Sequence, residues 1–267
     1  MNLAARNLYH RIYDVVCGTH PHVRMWHPQW LAVKDLYADL RRVLPELQGR
    51  VLDVGCGDKP YAVWLNSKLI QHVGLDVCAG PSTDLVVRPG ERWPVDSGVV
   101  AAVLCTQTLE HVADMEGFLS EIDRVLAPGG SLIVTVPFIY NFHIQTDGSD
   151  YRRFSLEGVK VLFADYRIIE LKSQGGIGSS LGLLLLNWID ISLNRNPATR
   201  VIKGLLLPAM ILFYAIVNLS GWLVDWIDNT QSFYSNVMLV AQKREICPED
   251  PHGPRSQLTN GSLSSMA

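Results

Sequence analysis

The first regular pattern along the chain is helical. From Trp30 to Leu44 the apolar residues Trp30, Leu31, Val33, Leu36, Tyr37, Leu40, Val43 and Leu44 recur at three- and four-residue spacing. Pro45 disfavours helical backbone at Leu44, and Gly49 adds a second stop. Residues 1–49 therefore read as a helical N-terminal segment. After it, apolar runs of strand length alternate with helical patterns, as expected of a mostly parallel sheet covered on both faces. Strands are predicted at Arg50–Val54, His72–Asp76, Asp84–Val87, Val99–Thr106, Ser131–Val136, Tyr166–Lys172 and Asn236–Gln242. Helices are predicted at Tyr61–Lys68, Met115–Leu126 and Leu156–Phe163, with a tight turn at Pro128-Gly129-Gly130. These elements place one α/β domain over residues 50–246. The stretch 247–267 is rich in Pro, Gly, Ser, Asn and Thr and reads as a disordered tail.

One segment breaks the alternation. Between Lys203 and Asp225 no charged residue occurs, a length that meets the requirement for a membrane span. A shorter apolar run, Leu181–Ile191, precedes it, so residues 179–228 form an apolar helical insertion before the last strand. This insertion holds much of the excess in a chain that is 48% hydrophobic. The net charge of −3 gives no electrostatic footprint for nucleic acid. Five scattered cysteines, an odd number without a Cys-x-x-Cys pair, argue against a disulfide framework and a zinc site; no metal is expected. The first residues lack the apolar core of a signal peptide, and the expected location is cytoplasmic, at the inner face of a membrane.

The chemistry concentrates where the first strand ends. Val51-Leu52-Asp53-Val54-Gly55-Cys56-Gly57 is an apolar strand entering a glycine-rich turn, and ligands of parallel sheets bind at such strand ends. The next strand ends on Asp76, an acid suited to accept hydrogen bonds from ribose hydroxyls. A dinucleotide site would want a third glycine where Pro60 stands. Asp53, before the first glycine, suits an amino group and a sulfonium better than a pyrophosphate.

Leu52-Asp53-Val54-Gly55-Cys56-Gly57 resembles motif I of class I S-adenosylmethionine-dependent methyltransferases, and Gly74-Leu75-Asp76 resembles the acidic end of their second strand. Leu104–His111 resembles their fourth strand and the turn after it. Arg124–Gly130 resembles the turn before strand five. The resemblance implies S-adenosylmethionine as cofactor. Asp53, Gly55 and Gly57 would line its amino-acid part with Cys56 alongside, Asp76 and Val77 would meet the ribose side, and Gln107 would lie beside the reactive end. Two departures are visible: Arg88 stands where many relatives place an adenine-binding acid, and Ala101 where an acid opens strand four. Gly129 and Gly130 read as structural. Glu110-His111 serves equally well as a helix cap and loop anchor.

The segment after strand five, Pro137–His143 followed by Asp150–Ser155, resembles a subgroup acting in cell-surface glycan and natural-product pathways. It implies His143 as general base, with Asp150 or Arg153 orienting it or the acceptor. A salt bridge between Asp150 and Arg153 that merely pins the loop stands beside that reading, and Ser155 reads as a helix N-cap. Tyr140 and Tyr151 could face a sulfonium or simply pack in the core.

In the resembled fold the last two strands pair, so both ends of the insertion lie on one side of any membrane. A hairpin dipping into the bilayer, helices lying on it, or a lid on the domain remain. Trp188, Trp222 and Trp226, with Arg195, Arg200 and Lys203 near the turn, favour membrane contact. The expected protein is a seven-stranded Rossmann-like methyltransferase with one reversed strand, methylating oxygen on a small or lipid-linked acceptor. A catalytically silent membrane-associated binding module and a C-methyltransferase of a quinone-like ring are the alternatives.

Overall fold

The computed structural model describes residues 11, 13–143 and 150–245. The expected disordered tail, 247–267, lies outside the described residues. Seven strands form one sheet: β1 (Gly49–Val54), β2 (Ile70–Asp76), β3 (Leu85–Val86), β4 (Val100–Thr106), β5 (Leu126–Pro137), β6 (Arg167–Gln174) and β7 (Asn236–Gln242). Their order is β3-β2-β1-β4-β5-β7-β6, and β7 runs antiparallel to both of its neighbours. All other pairings are parallel. The expected fold class, with a reversed strand near one edge, is the observed one.

Alternation along the strands sorts side chains onto two faces. On one, Leu52, Val73, Val103, Leu132 and Leu239 pack with Ile122 and Val125 of α2 (Met115–Val125) and Val159 of α3 (Leu156–Leu162). On the other, Val51, Leu104, Ile133 and Met238 meet Leu36, Tyr37 and Leu40 of α1 (Trp30–Val43). The N-terminal helix thus closes the second face of the sheet, and its apolar stripe is buried there. Asp114 and Ser155 cap α2 and α3 by accepting the backbone N–H of Gly117 and Gly158 at 3.0 and 3.1 Å.

Three predicted elements change shape. Tyr61–Lys68 is not an α-helix; a 3-10 turn spans Pro60–Trp64, with Tyr61 and Trp64 stacked, and Asn66 takes the N–H of Lys68 in a local turn that ends it. The strand expected at Asp84–Val87 shrinks to two residues at the sheet edge. β5 begins at Leu126, which pairs with Val100 before the chain bulges and resumes at Ser131 opposite Ala102. Gly129, at φ +74°, makes that detour possible.

The insertion forms three helices: α4 (Ile177–Asn194), α5 (Pro197–Leu205) and α6 (Leu207–Ile227). The last rung of the β6–β7 ladder joins Gln174 to Asn236, so the insertion leaves and re-enters the sheet at one place. A single membrane crossing by this segment is therefore excluded. Its inner face is held by polar groups as well as packing. Asn218 Nδ2 donates to the carbonyls of Met25 and His27 at 2.5 and 2.9 Å, and Asp225 accepts the Ser179 N–H at 2.9 Å. Leu183 packs against Leu31 and Ala32 of α1. The outer face is a different matter: Leu181, Trp188, Leu212, Ile216, Trp222 and Trp226 are exposed.

Candidate active site

The carboxyl ends of β1, β2, β4 and β5 converge on one edge of the sheet, and the predicted site residues gather there. β1 ends in the turn Gly55–Gly57. Gly55 sits at φ +70°, and a Cβ on it would collide with the side chain of Thr108. Thr108 Oγ1 in turn bonds the carbonyls of Val54 and Thr106 at 3.2 and 3.0 Å, which locks the loop after β4 against the turn. Gly57, at φ +48°, faces open space: a Cβ there would meet nothing within 4 Å. Gly55 therefore serves close packing, and Gly57 keeps the ligand side of the turn clear.

Asp76, at the end of β2, borders the same space. Its Oδ2 accepts the Gly57 N–H at 2.9 Å and its Oδ1 the Cys78 N–H at 3.1 Å. A carboxylate has roughly four lone-pair sites, so about two remain for ribose hydroxyls. Val77 next to it is exposed. Asp53 lies beneath the turn and is only 2% exposed, with Oδ2 bonded to His72 Nε2 at 3.1 Å. Burial raises its carboxyl above the usual range, and the His72 hydrogen bond works against that rise. Only its other oxygen is left to meet a ligand's amino group. Cys56 is buried within the turn; desolvation, then the charges of Asp53 and Asp76, push its thiol up to about 11. The residues present fit S-adenosylmethionine: a cradle a Cβ would obstruct, an acid with acceptor capacity beside it, and a second acid under it.

Gln107 follows β4 with φ +51°, uncommon for a residue with a side chain. Its backbone N–H bonds the Thr135 carbonyl at 2.8 Å and its Nε2 the Thr135 hydroxyl at 3.3 Å, which places it between the ends of β4 and β5.

The expected catalytic residues form one cluster. Asp150 is sealed from solvent and bonded by both terminal nitrogens of Arg153. That guanidinium, with the His143 N–H second among the favourable contacts, holds the Asp150 carboxyl down at about 2. Asp150 Oδ2 accepts the backbone N–H of His143 at 2.9 Å and lies 3.4 Å from its Nδ1. The ion pair thus lies against both the backbone and the ring of His143. Backbone bonds from Tyr151 to Glu110 (2.8 Å) and from Phe154 to Pro137 (3.1 Å) sew this segment onto the ends of β4 and β5. Tyr140 packs beside Leu31, and its hydroxyl donates to Gln29 at 2.9 Å, while Tyr151 is exposed. The Tyr140 ring also meets that of His143 edge to face, with centroids 5.3 Å apart.

Glu110 is the residue whose importance the sequence understated. It sits in a 3-10 turn, Leu109–His111, rather than capping a helix. Its side chain is fully buried, neither carboxylate oxygen has a hydrogen-bond partner among the described residues, and desolvation pushes it up to about 8. Beside it the rings of His111 and His143 meet edge to face, with centroids 4.9 Å apart. The apolar insertion also reaches this place: Asn187 of α4 donates to Asn141 Oδ1 at 2.6 Å, two residues before His143.

Residues 52–134 match the family model described as a methyltransferase domain. No curated protein matches the chain. Among solved structures the chain resembles the [4+2]-cyclase SpnF, with a TM-score of 0.50 and 19% identity over 88% of this chain and 94% of that one. It also aligns with phosphoethanolamine N-methyltransferase 2 of Haemonchus contortus bound to S-adenosylmethionine (TM-score 0.49, 15% identity, 89% of this chain and 60% of that one). A third is a geranyl diphosphate C-methyltransferase of Streptomyces coelicolor A3(2) (TM-score 0.48, 12% identity, 79% and 77%). The likeness to a cyclase establishes the fold and leaves the reaction to the site itself.

Proposed function

We propose that this chain, whose residues 52–134 match a methyltransferase-domain model, is an S-adenosylmethionine-dependent O-methyltransferase whose small or lipid-linked acceptor, a glycan or natural product, is met at a membrane surface. The cofactor, S-adenosylmethionine, supplies an electrophilic methyl group on its sulfonium. Asp76 and the turn at Gly57 hold and orient it, with Asp53 beneath and Gln107 at the reactive end. Methyl transfer needs the acceptor oxygen aligned with the carbon–sulfur bond, and such alignment supplies much of the rate. An alcohol acceptor must also lose its proton. His143 takes that proton, and Asp150 fixes its ring by accepting the backbone N–H and facing Nδ1.

The contact between Asn187 and Asn141 carries the membrane part of this reading, because it joins the apolar insertion to the loop that bears His143. Soluble monomers rarely expose an apolar patch beyond a few hundred Å², and both long helices of the insertion turn leucines and tryptophans outward. With both ends anchored at one rung of the sheet, the insertion fits one leaflet, at the inner face of the cytoplasmic membrane. Arg195, which follows α4, is exposed and could meet headgroups, whereas Lys203 is already paired with Asp190 at 2.5 Å.

The test follows labelled methyl transfer from S-adenosylmethionine into lipid-linked and water-soluble acceptors, with the methylated atom identified in the product. Label on oxygen in a lipid-linked acceptor, lost in His143→Ala, is the expected result. Label on a ring carbon would replace the reading by a quinone-type C-methyltransferase. Cofactor binding without transfer to any acceptor would leave a silent binding module.

A further inference from the structure

We propose that Glu110, His111 and His143 form a binding site for a divalent first-row transition cation of the Zn²⁺ type, placed to hold the oxygen of the acceptor. Each residue offers one ligand atom, and the three atoms lie within 4.8 Å of one another. The set is assembled by the fold: Glu110 and His111 come from the turn after β4, and His143 from the loop after β5.

Glu110 supplies the independent observation. Its side chain is 0% exposed, and among the described residues neither of its oxygens has a hydrogen-bond partner, the imidazole of His111 standing 3.9 Å from one of them. Native proteins leave few buried polar atoms unsatisfied, and such a pair of oxygens calls for an occupant. A cation answers that need directly. The donor chemistry narrows its identity: two imidazoles and one carboxylate suit zinc and similar first-row metals, whereas magnesium and calcium prefer oxygen ligands. Three protein ligands leave a coordination position open, the arrangement of catalytic rather than structural sites.

The surroundings are those of a metal-bound histidine. Asp150 faces His143 Nδ1 at 3.4 Å and is itself fixed by Arg153. Nδ1 also lies 3.4 Å from the Asn141 carbonyl, its hydrogen-bond partner; with Nδ1 engaged by these oxygens, Nε2 is the nitrogen left for a metal. Ligand atoms about 2.1 Å from a tetrahedral centre stand roughly 3.4 Å apart, so binding draws the three groups inward by about 1 Å. Scattered cysteines directed attention away from metals in the sequence; this set contains none.

The inference deepens the proposed acceptor site and rests on it for the cation's use. It also changes one assignment. A bound cation makes His143 a ligand; coordination would then lower the pKa of the acceptor hydroxyl so that its proton passes to solvent water, in place of transfer to the imidazole.

The experiment is a titration of the chelator-treated full chain with Zn²⁺ by calorimetry and with Co²⁺ by visible absorption, beside S-adenosylmethionine binding on the same samples. One equivalent of each metal is expected, with ligand-field bands of a low-symmetry nitrogen–oxygen site for Co²⁺. Glu110→Gln should weaken binding at least tenfold while S-adenosylmethionine binding persists. His143→Ala, in a loop, gives the same readout should the buried substitution impair folding. No metal binding by a protein that still binds S-adenosylmethionine would overturn the cation site, as would binding that both variants leave unchanged. Metal binding without S-adenosylmethionine binding would support the cation site and overturn the cofactor reading.

Discussion

Gly178 and Gly221 meet backbone to backbone where the two long apolar helices cross, and a Cβ on Gly178 would collide with the Gly221 carbonyl oxygen. Gly178→Leu should therefore splay the hairpin. Overpacking of this kind costs about 1–3 kcal/mol, read as a lowered thermal midpoint in detergent. An unchanged midpoint would mean that the helices do not cross there.

Asp76 retains acceptor capacity beyond the two backbone donors it already satisfies. Asp76→Ala should weaken S-adenosylmethionine binding at least tenfold, about 1.4 kcal/mol, by calorimetry. Equal affinity in the variant would remove Asp76 from the cofactor site.

Arg153 is the guanidinium partner of a carboxylate with no exposed surface. Arg153→Met would strand the Asp150 charge, and breaking a buried pair in this way costs about 3–5 kcal/mol. Part of that cost is avoided in Arg153→Met/Asp150→Asn, so the double variant should be the more stable one in urea. A double variant no better than the single would argue that the charge is solvated.

The Cys56 thiol lies buried in the cofactor turn and is pushed up to about 11. A raised thiol pKa keeps the reactive thiolate scarce at neutral pH and increases it about tenfold per pH unit up to that value. Iodoacetamide at pH 7.5 should modify the half-buried Cys78 well before Cys56, as peptide mass mapping would show. Early labelling of Cys56 would indicate that the turn opens in solution.

The exposed face of α6 includes Leu212 and Ile216. Leu212→Glu/Ile216→Glu should cut co-sedimentation with vesicles containing anionic lipid at least tenfold and leave circular dichroism unchanged. Wild-type protein that stays in the supernatant would sink the membrane reading.

The glycine turn and the acids at the ends of β1 and β2 were legible because each depends on local pattern: an apolar run, a glycine, an acid; the reversed strand near one edge followed from the family resemblance, and the strand order from the structure alone. Asp53 shows where that legibility stops. Its bond to His72 joins side chains of adjacent strands, and only the register of β1 on β2 brings them together. Glu110 was visible as a residue but not as a buried one, because burial comes from tertiary packing that local sequence does not show, such as the docking of the segment whose Tyr151 N–H bonds the Glu110 carbonyl. The 3-10 turn at Pro60–Trp64 was misjudged as α-helix for a related reason: stacking of Tyr61 on Trp64 and the Asn66 turn outweigh helical periodicity. Asn187 lay in an apolar run as an unremarked polar residue, and only the docked helix shows that it touches the loop of His143.

The shared rung of Gln174 and Asn236 also has a mechanical meaning. Any pull on the hairpin reaches the sheet through both strands together and in the same direction. The β6–β7 ladder then carries almost no load, and the tug falls as shear on the ladder between β5 and β7, which runs from Ser131–Gln242 to Pro137–Asn236. Shear must break those rungs together rather than peel them singly, so a force applied to the hairpin meets the sheet along its strongest axis.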